Sequence, residues 1–368
     1  MEGRRRGSTI VTFRSPAVPA FVRSSIRSIV IHAGRDLRIE TREAATPGPG
    51  EVRVRLAAGG ICGSDLHYYS HGGFGTVRLR EPMILGHEVA GHVAELGEGT
   101  LNLAVGDLVA VSPSHPCGRC RFCTEGLRNQ CFDMRFYGSA MPFPHVQGAF
   151  REELVAGAEQ CVKANGLSVG EAAMAEPLSV CLHAARRAGE LLGRRVLVTG
   201  CGPIGCLAIL VARRAGAAEI VATDLAPNAL AYARRAGADR VIDMAAEPEL
   251  LADYGSEKGT FDVLFECSGA AAALAAGVAA MRPRGVVVQL GFGGDMSVPM
   301  QALTAKELDL RGSFRFHEEF PVAVRLMQAG LIDVDPLISH RLPLEAADEA
   351  FALASDRTRA MKVQIAFG

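Results

Sequence analysis

The sequence lacks a surplus of charge of either sign: 39 Lys and Arg stand against 40 Asp and Glu in 368 residues, a formal charge of −1. That balance excludes nucleic acid or an anionic membrane as the main partner, since both select clustered surplus cations. It still allows a local basic pocket. Long apolar runs are missing too. The longest, Val196 to Val211, is broken by Gly200, Gly202, Pro203 and Gly205. It falls short of the roughly 18 unbroken apolar residues that a membrane-spanning helix needs. Tryptophan is absent, and there is no internal repeat and no low-complexity segment beyond an Ala-rich stretch at 270–281. The chain reads as soluble and globular, and it is too long for one core of about 100–200 residues, so two domains are expected.

What is present is unevenly placed. Of ten cysteines, Cys117, Cys120, Cys123 and Cys131 fall close together, while Cys62, Cys161, Cys181, Cys201, Cys206 and Cys267 are scattered. Close C-x-x-C steps suit a tetrahedral metal better than disulfides, and a chain with a full core needs no staples. A reducing, cytoplasmic compartment is expected. Residues 1–28 hold six arginines, several serines and a single acid, Glu2. That composition resembles an organelle transit peptide but has no apolar run of a secretory kind. The reading preferred here is a disordered extension over 1–28.

From Ile29 to about Cys161 short β-like runs alternate with turn residues, as in Glu51–Ala57 and Val89–Leu96, punctuated by Pro47-Gly48-Pro49-Gly50 and Gly72-Gly73. The rhythm then changes. Strands at Arg195–Thr199, Glu219–Thr223, Arg240–Ile242, Phe261–Cys267, Val286–Leu290 and Leu308–Ser313 alternate with helical patterns such as Pro203–Ala215 and Pro227–Ala236. Such alternation implies a parallel sheet wound on both faces. The tail, with a closing strand at Lys362–Phe367, lacks a core of its own and is expected to return to the first domain. The boundaries expected are 29–177, completed by 318–368, for the first domain and 178–317 for the second.

Cys117-x-x-Cys120-x-x-Cys123-x7-Cys131 places four thiolates in one tight loop. Zinc is the natural occupant, and four protein ligands leave no open position, so the site is structural. A zinc module gripping DNA is disfavoured, because only Arg119, Arg121 and Arg128 lie nearby and Glu125 offsets them. Upstream, Cys62-Gly63-Ser64-Asp65-x-His67 and Gly86-His87-Glu88 combine soft, borderline and hard ligands. Cys62, His87 and Glu88 with one vacancy describe a catalytic zinc, which lowers the proton affinity of a bound hydroxyl. Asp65 suits a carboxylate that fixes a ligand histidine, Ser64 one that passes a hydroxyl proton on, and His67 one that releases it to solvent. Glu176, in Met174-Ala175-Glu176-Pro177, puts a further carboxylate at the join between domains, as a fourth ligand or as the holder of a zinc-bound water.

Gly200-Cys201-Gly202-Pro203-Ile204-Gly205 is a G-x-G-x-x-G that follows an apolar strand and opens a helix. In that context Gly200 permits the tight turn, Gly202 the approach of a pyrophosphate and Gly205 the packing of helix on sheet. Asp224, 19 residues after Gly205, ends the next strand where a carboxylate takes the ribose 2′-hydroxyl. An acid there repels a 2′-phosphate, so NAD is favoured over NADP.

Together these residues resemble the zinc-dependent medium-chain alcohol and polyol dehydrogenase family, from about Ser28 to the C-terminus. The resemblance is carried by Cys62–His67, Pro82–Glu88, the lobe Cys117–Cys131, Ala175–Val180, the glycine loop and Gly312–Phe316. It implies an α/β fold: a GroES-like, β-rich catalytic domain plus a Rossmann doubly wound parallel sheet. Within it, His67–Pro82 and Ser313–Phe320 look most like the branch containing L-idonate 5-dehydrogenases, with sorbitol and xylitol dehydrogenases next. By that resemblance Tyr68, Phe136 and Glu176 line the substrate pocket, Arg315 approaches the substrate's far end or the cofactor, and Arg80 is a further contact. Arg80, Arg315 and His317 are the cations available to a substrate carboxylate. The resemblance further implies two zinc ions, a small-molecule sugar acid or polyol as partner, and a homo-oligomer, tetramer or dimer. A neutral-polyol enzyme and a non-catalytic member of the fold are the alternatives.

Overall fold

The computed structural model describes residues 25–292 and 294–368. The expected extension therefore lies outside the described residues as far as residue 24. Its last four residues do not belong to it: Ser25–Ala33 is a nine-residue strand. Arg27 donates to Glu152 at 2.9 Å and also pairs with Glu345, which ties the strand to the body of the protein.

The first half is built around a seven-stranded sheet. Glu51–Gly60 lies at its centre, antiparallel to Glu88–Leu96, to Glu153–Gly157 and to the closing strand Lys362–Ala366. The register sets Gly60 opposite both Glu88 and Gln364. Gly91 faces Leu56 where the two central strands slip register, and a Cβ there would stand 2.1 Å from the Arg55 carbonyl oxygen. Only glycine allows the strands so close.

The second half is a six-stranded, all-parallel sheet in the order Arg240–Asp243, Glu219–Asp224, Arg195–Thr199, Phe261–Glu266, Met281–Gln289, Asp309–Gly312. Val196, Leu197 and Val198 are each fully buried. Covering on both faces explains their unbroken apolar run, where a one-sided sheet would alternate. The order reverses between Arg195–Thr199 and Phe261–Glu266, and ligands bind at such switch points.

Two helices beside the site escape the sequence reading. Gly63–His71 is a helix ended by Gly72 in the left-handed conformation at φ 65°. Ala175–Ala188 is a continuous helix, so the expected boundary at 177/178 falls inside an element. Its first turn carries Glu176 and its last Arg186 and Arg187, charges that complement the helix dipole. Its buried Leu178, Cys181 and Ala184 share one core with Val196, Leu207 and Ile209 of the second half.

Gly91→Ala is expected to destabilise the protein by about 1–3 kcal/mol, because backbone has to move to admit the methyl group. A urea midpoint equal to that of the parent chain would contradict the packing described.

Candidate active site

Each ligand-bearing segment reaches the centre for a local reason. Cys62 caps the helix Gly63–His71 in extended backbone geometry. Gly86, at φ 91°, turns the chain into His87 and Glu88; a Cβ there would lie 2.1 Å from the Phe150 ring. Asp65 joins the two segments. Fully buried, it accepts from the Cys62 backbone N–H at 3.0 Å and from that of Gly86 at 3.1 Å. Its oxygen stands 3.7 Å from His87 Nδ1, beyond hydrogen-bond reach, so it orients the peptide frame and not the ring.

Ligating atoms of Cys62, His87 and Glu88 lie within 4.8 Å of one another. His87 Nδ1 is buried with no hydrogen-bond partner among the described residues. Burial first, then the Glu88 charge, pushes the Cys62 thiol up to about 11. Glu176 is also buried beside this group, where burial, reinforced by Glu88 and Cys62 and opposed by His87, lifts its carboxyl to about 8. So many buried acidic groups require a cation. Lys362, from the closing strand and 2% exposed, supplies one: Nζ donates to both Glu88 oxygens at 2.8 and 2.7 Å and to the Ile61 carbonyl at 3.1 Å. Burial opposes its charge, but Glu88 outweighs that and raises its pKa. Sequence reasoning missed Lys362, although a lone cation at the head of the mostly apolar strand K-V-Q-I-A was a usable signal. The remaining deficit suits a divalent ion, and the donor set of thiolate, imidazole and carboxylate is that of zinc.

The four-cysteine lobe fits zinc on geometry. Its sulfurs lie within 4.8 Å of one another, with Cys120 to Cys123 at 3.5 Å and Cys120 to Cys131 at 3.9 Å. Zn–S bonds of about 2.3 Å imply tetrahedral edges of about 3.8 Å. Backbone N–H groups of Cys123 and Phe132 pull the Cys120 thiol down to about 6, while burial pushes Cys123 up to about 12. All ten cysteines are free.

A cleft of about 500 Å³ runs from Cys62, Glu88 and Lys362 to the glycine loop and Asp224. Gly202 caps the helix Pro203–Arg214 with no side-chain cap, and a Cβ on it would meet nothing within 4 Å, which leaves the helix N–H groups accessible to an anion. A Cβ on Gly205 would meet the Gly200 carbonyl at 1.9 Å, so this glycine is a packing requirement. Pro203 opens the helix and Ile204 lines the cleft beside it. Asp224 accepts from the Cys201 N–H at 2.6 Å and from that of Ala226 at 2.9 Å, which holds the loop against the strand end.

The other expected contacts separate into two groups. Phe136 is buried with its ring 5.6 Å from that of His87, and the Arg315 guanidinium stacks 4.1 Å over Phe136. Burial lowers Arg315 to about 10, with Glu176 and Tyr68 acting against that shift. Arg315 therefore sits at the His87 end and does not line the glycine-loop end, where it was one of the expected cofactor contacts. Tyr68 is buried and its hydroxyl accepts from the Ala140 N–H at 3.0 Å. Arg80 is exposed and stacked 4.1 Å over Phe143. His317 has Nε2 3.5 Å from Arg128 of the lobe. Ser64 occupies the first turn after Cys62, and His67 follows one turn on, its ring 5.9 Å from Phe74. Burial, with His71 and Arg357, lowers the His67 pKa, so the ring is neutral at pH 7 and able to accept a proton.

Comparison with known proteins gives one family. Residues 48–166 match the alcohol dehydrogenase GroES-like domain and residues 203–329 the zinc-binding dehydrogenase domain. The chain is 45% identical over 316 residues to L-idonate 5-dehydrogenase (NAD(P)(+)) of Escherichia coli K12, covering 85% of this chain and 91% of that one. It is 39% identical over 329 residues to human sorbitol dehydrogenase, covering 88% and 91%. The crystal structure of L-idonate 5-dehydrogenase from E. coli K-12 superposes with a TM-score of 0.88 over 93% of this chain and 98% of the other, at 42% identity. No helix among the described residues is long and apolar enough to cross a membrane. The chain belongs to the zinc-binding alcohol dehydrogenase family, an α/β fold of GroES-like and Rossmann parts whose members oxidise CH–OH groups.

Proposed function

We propose that this protein is an NAD-dependent dehydrogenase that oxidises the C5 hydroxyl of L-idonate to 5-keto-D-gluconate, or runs the reverse reduction. The observation that carries the reading is a cleft lined by Cys62 and Glu88 at one end, with His87 within 4.8 Å of both, and by the glycine loop with Asp224 at the other. When bound, zinc supplies Lewis acidity toward the substrate oxygen and oxidised nicotinamide supplies the hydride acceptor. Cys62, His87 and Glu88 would hold the ion, and Glu176 is the further buried carboxylate beside them. Ser64 takes the hydroxyl proton and neutral His67 passes it towards solvent. Asp224 selects a ribose 2′-hydroxyl over a phosphate.

Arg315 supports the sugar acid over a neutral polyol. It is a half-buried cation stacked on Phe136, within electrostatic reach of Glu176 and Tyr68. A planar guanidinium pairs a carboxylate through two hydrogen bonds. The identity to L-idonate 5-dehydrogenase, higher than that to sorbitol dehydrogenase, points the same way. We infer further a cytoplasmic protein, since a lobe of four free thiols needs a reducing compartment. We also infer a homo-oligomer, because Asp309–Gly312 is the exposed, unpaired edge of the parallel sheet.

Three outcomes follow. Purified protein carries two zinc ions per chain; Cys62→Ser keeps one, folds and loses turnover, whereas Cys120→Ser loses solubility and thermal stability first. Elemental analysis with thermal melts decides this, and a fully active Cys62→Ser refutes the metal assignment. Turnover of L-idonate exceeds that of sorbitol at equal concentration, followed by NADH absorbance. Arg315→Met reverses the order by costing L-idonate about tenfold or more, the loss of a charged hydrogen bond. The pH profile has an acid limb below the ordinary histidine range, where His67 gains its proton and stops accepting. His67→Asn removes that limb and slows turnover near neutrality by about a hundredfold; an unchanged profile excludes the relay.

A further inference from the structure

Glu266 is a fully buried carboxylate at the end of the strand Phe261–Glu266, whose other buried members are Phe261, Val263, Leu264 and Phe265. A charge in such a place is retained only where hydrogen bonds hold it. Oε1 accepts from the Ser268 N–H at 2.8 Å, from the Ser268 hydroxyl, from the Gly269 N–H at 3.2 Å and from the Thr199 hydroxyl at 3.4 Å. Oε2 accepts from the Gly269 N–H at 3.1 Å and from Gln289 Nε2 at 2.5 Å. Thr199, Glu266 and Gln289 are the last residues of three adjacent parallel strands. The carboxylate therefore binds three strand ends into one unit at the switch point of the sheet.

What that unit supports is the phosphate-binding turn. Ser268 lies directly behind Gly200: a Cβ on Gly200 would stand 2.7 Å from Ser268 N and 2.8 Å from its Cα and Cβ. Gly269 is pressed from the other side by Gly291, where a Cβ would lie 2.1 Å from Gly269 N and 2.9 Å from Glu266 Oε2. Cys267, Ser268 and Ala270 line the cleft along with Gly200 and Gly202. Glu266 does not line it. We propose that Glu266 is a positioning residue for the dinucleotide: by fixing Ser268 and Gly269 it sets, from behind, the turn at Gly200 that receives the cofactor's pyrophosphate.

The inference rests on the reading that this cleft takes a nicotinamide dinucleotide, and the experiment separates the two. NADH and ADP-ribose are titrated into zinc-loaded wild type and Glu266→Gln, the first by its fluorescence and the second by displacing it. Glutamine keeps the shape but turns a donor towards donors; a flip of Gln289 that accommodates it forfeits that residue's bond to the Gly291 carbonyl. Both ligands should weaken about tenfold or more, the loss of a charge-assisted bond. The KM for the alcohol substrate should stay within about twofold, which loosening of the whole molecule would not allow. If wild type binds no NADH, the dehydrogenase reading fails. If wild type binds and Glu266→Gln matches it for both ligands, or if cofactor and substrate constants rise together, the positioning role is overturned. Should Glu266→Gln not fold, Gln289→Leu, which removes one donor from outside the cleft, carries the same test: weaker NADH and ADP-ribose with an unchanged substrate constant supports the role, and unchanged binding overturns it.

Discussion

The centre of this protein is a problem of charge. Buried Asp65, Glu88 and Glu176 converge with Cys62 of the cleft wall, where each ionised group raises the cost of the next. The Lys362 ammonium offsets Glu88. The rest is left with protons held above their ordinary range, on Cys62 and Glu176 above all. A divalent ion resolves the conflict by replacing protons, which is why an arrangement that looks unfavourable as bare protein is well suited to zinc. The architecture can be read as the means of forcing this convergence. The Gly60–Glu88 register, the Gly86 turn and the Asp65 bonds to two backbones each remove a way for the acids to move apart.

The two halves meet at this point because one helix belongs to both. Ala175–Ala188 begins with Glu176 beside the ligand cluster and then buries Leu178, Cys181 and Ala184 against the parallel sheet. A shift of that sheet is therefore felt at the carboxylate. Arg315 makes a second link, since it leaves the last strand of the parallel sheet at positive φ to stack on Phe136 of the first half. Asn228, whose amide donates to the Arg357 carbonyl at 3.3 Å, makes a third across the cleft.

Much of this was legible in the sequence, and the exceptions share a cause. The six parallel strands and the glycine loop announce themselves through local patterns: apolar runs, helix-opening Pro203 and Pro227, and Asp224 at a strand end. The metal clusters were legible because ligand types at fixed spacings are improbable by chance. Gly63–His71 and Ala175–Ala188 were missed because their residues were read as chemistry, and Pro177 reads as a break although proline is tolerated in a first helical turn. The pairings of Glu88 with Lys362 and of Glu266 with Gln289 were illegible for a deeper reason. A charge buried by a partner distant in the chain leaves no periodic trace, and only the fold shows whether its bonds are met. Asp65 illustrates the same limit: its type and place were read, but its partners are backbone N–H groups that no pattern displays.

The two candidate metal sites differ in how far along the chain the residues that complete them lie. The lobe collects its four sulfurs from the 15 residues Cys117 to Cys131, whereas Lys362, which balances Glu88, stands 300 residues after Cys62. Closing the first loop costs little chain entropy, and closing the second requires the central sheet to be complete. During synthesis the lobe can thus capture its ion while most of the polypeptide is still unmade. The cluster around Cys62, His87 and Glu88 acquires its full electrostatic balance only after the final strand has docked beside Gly60.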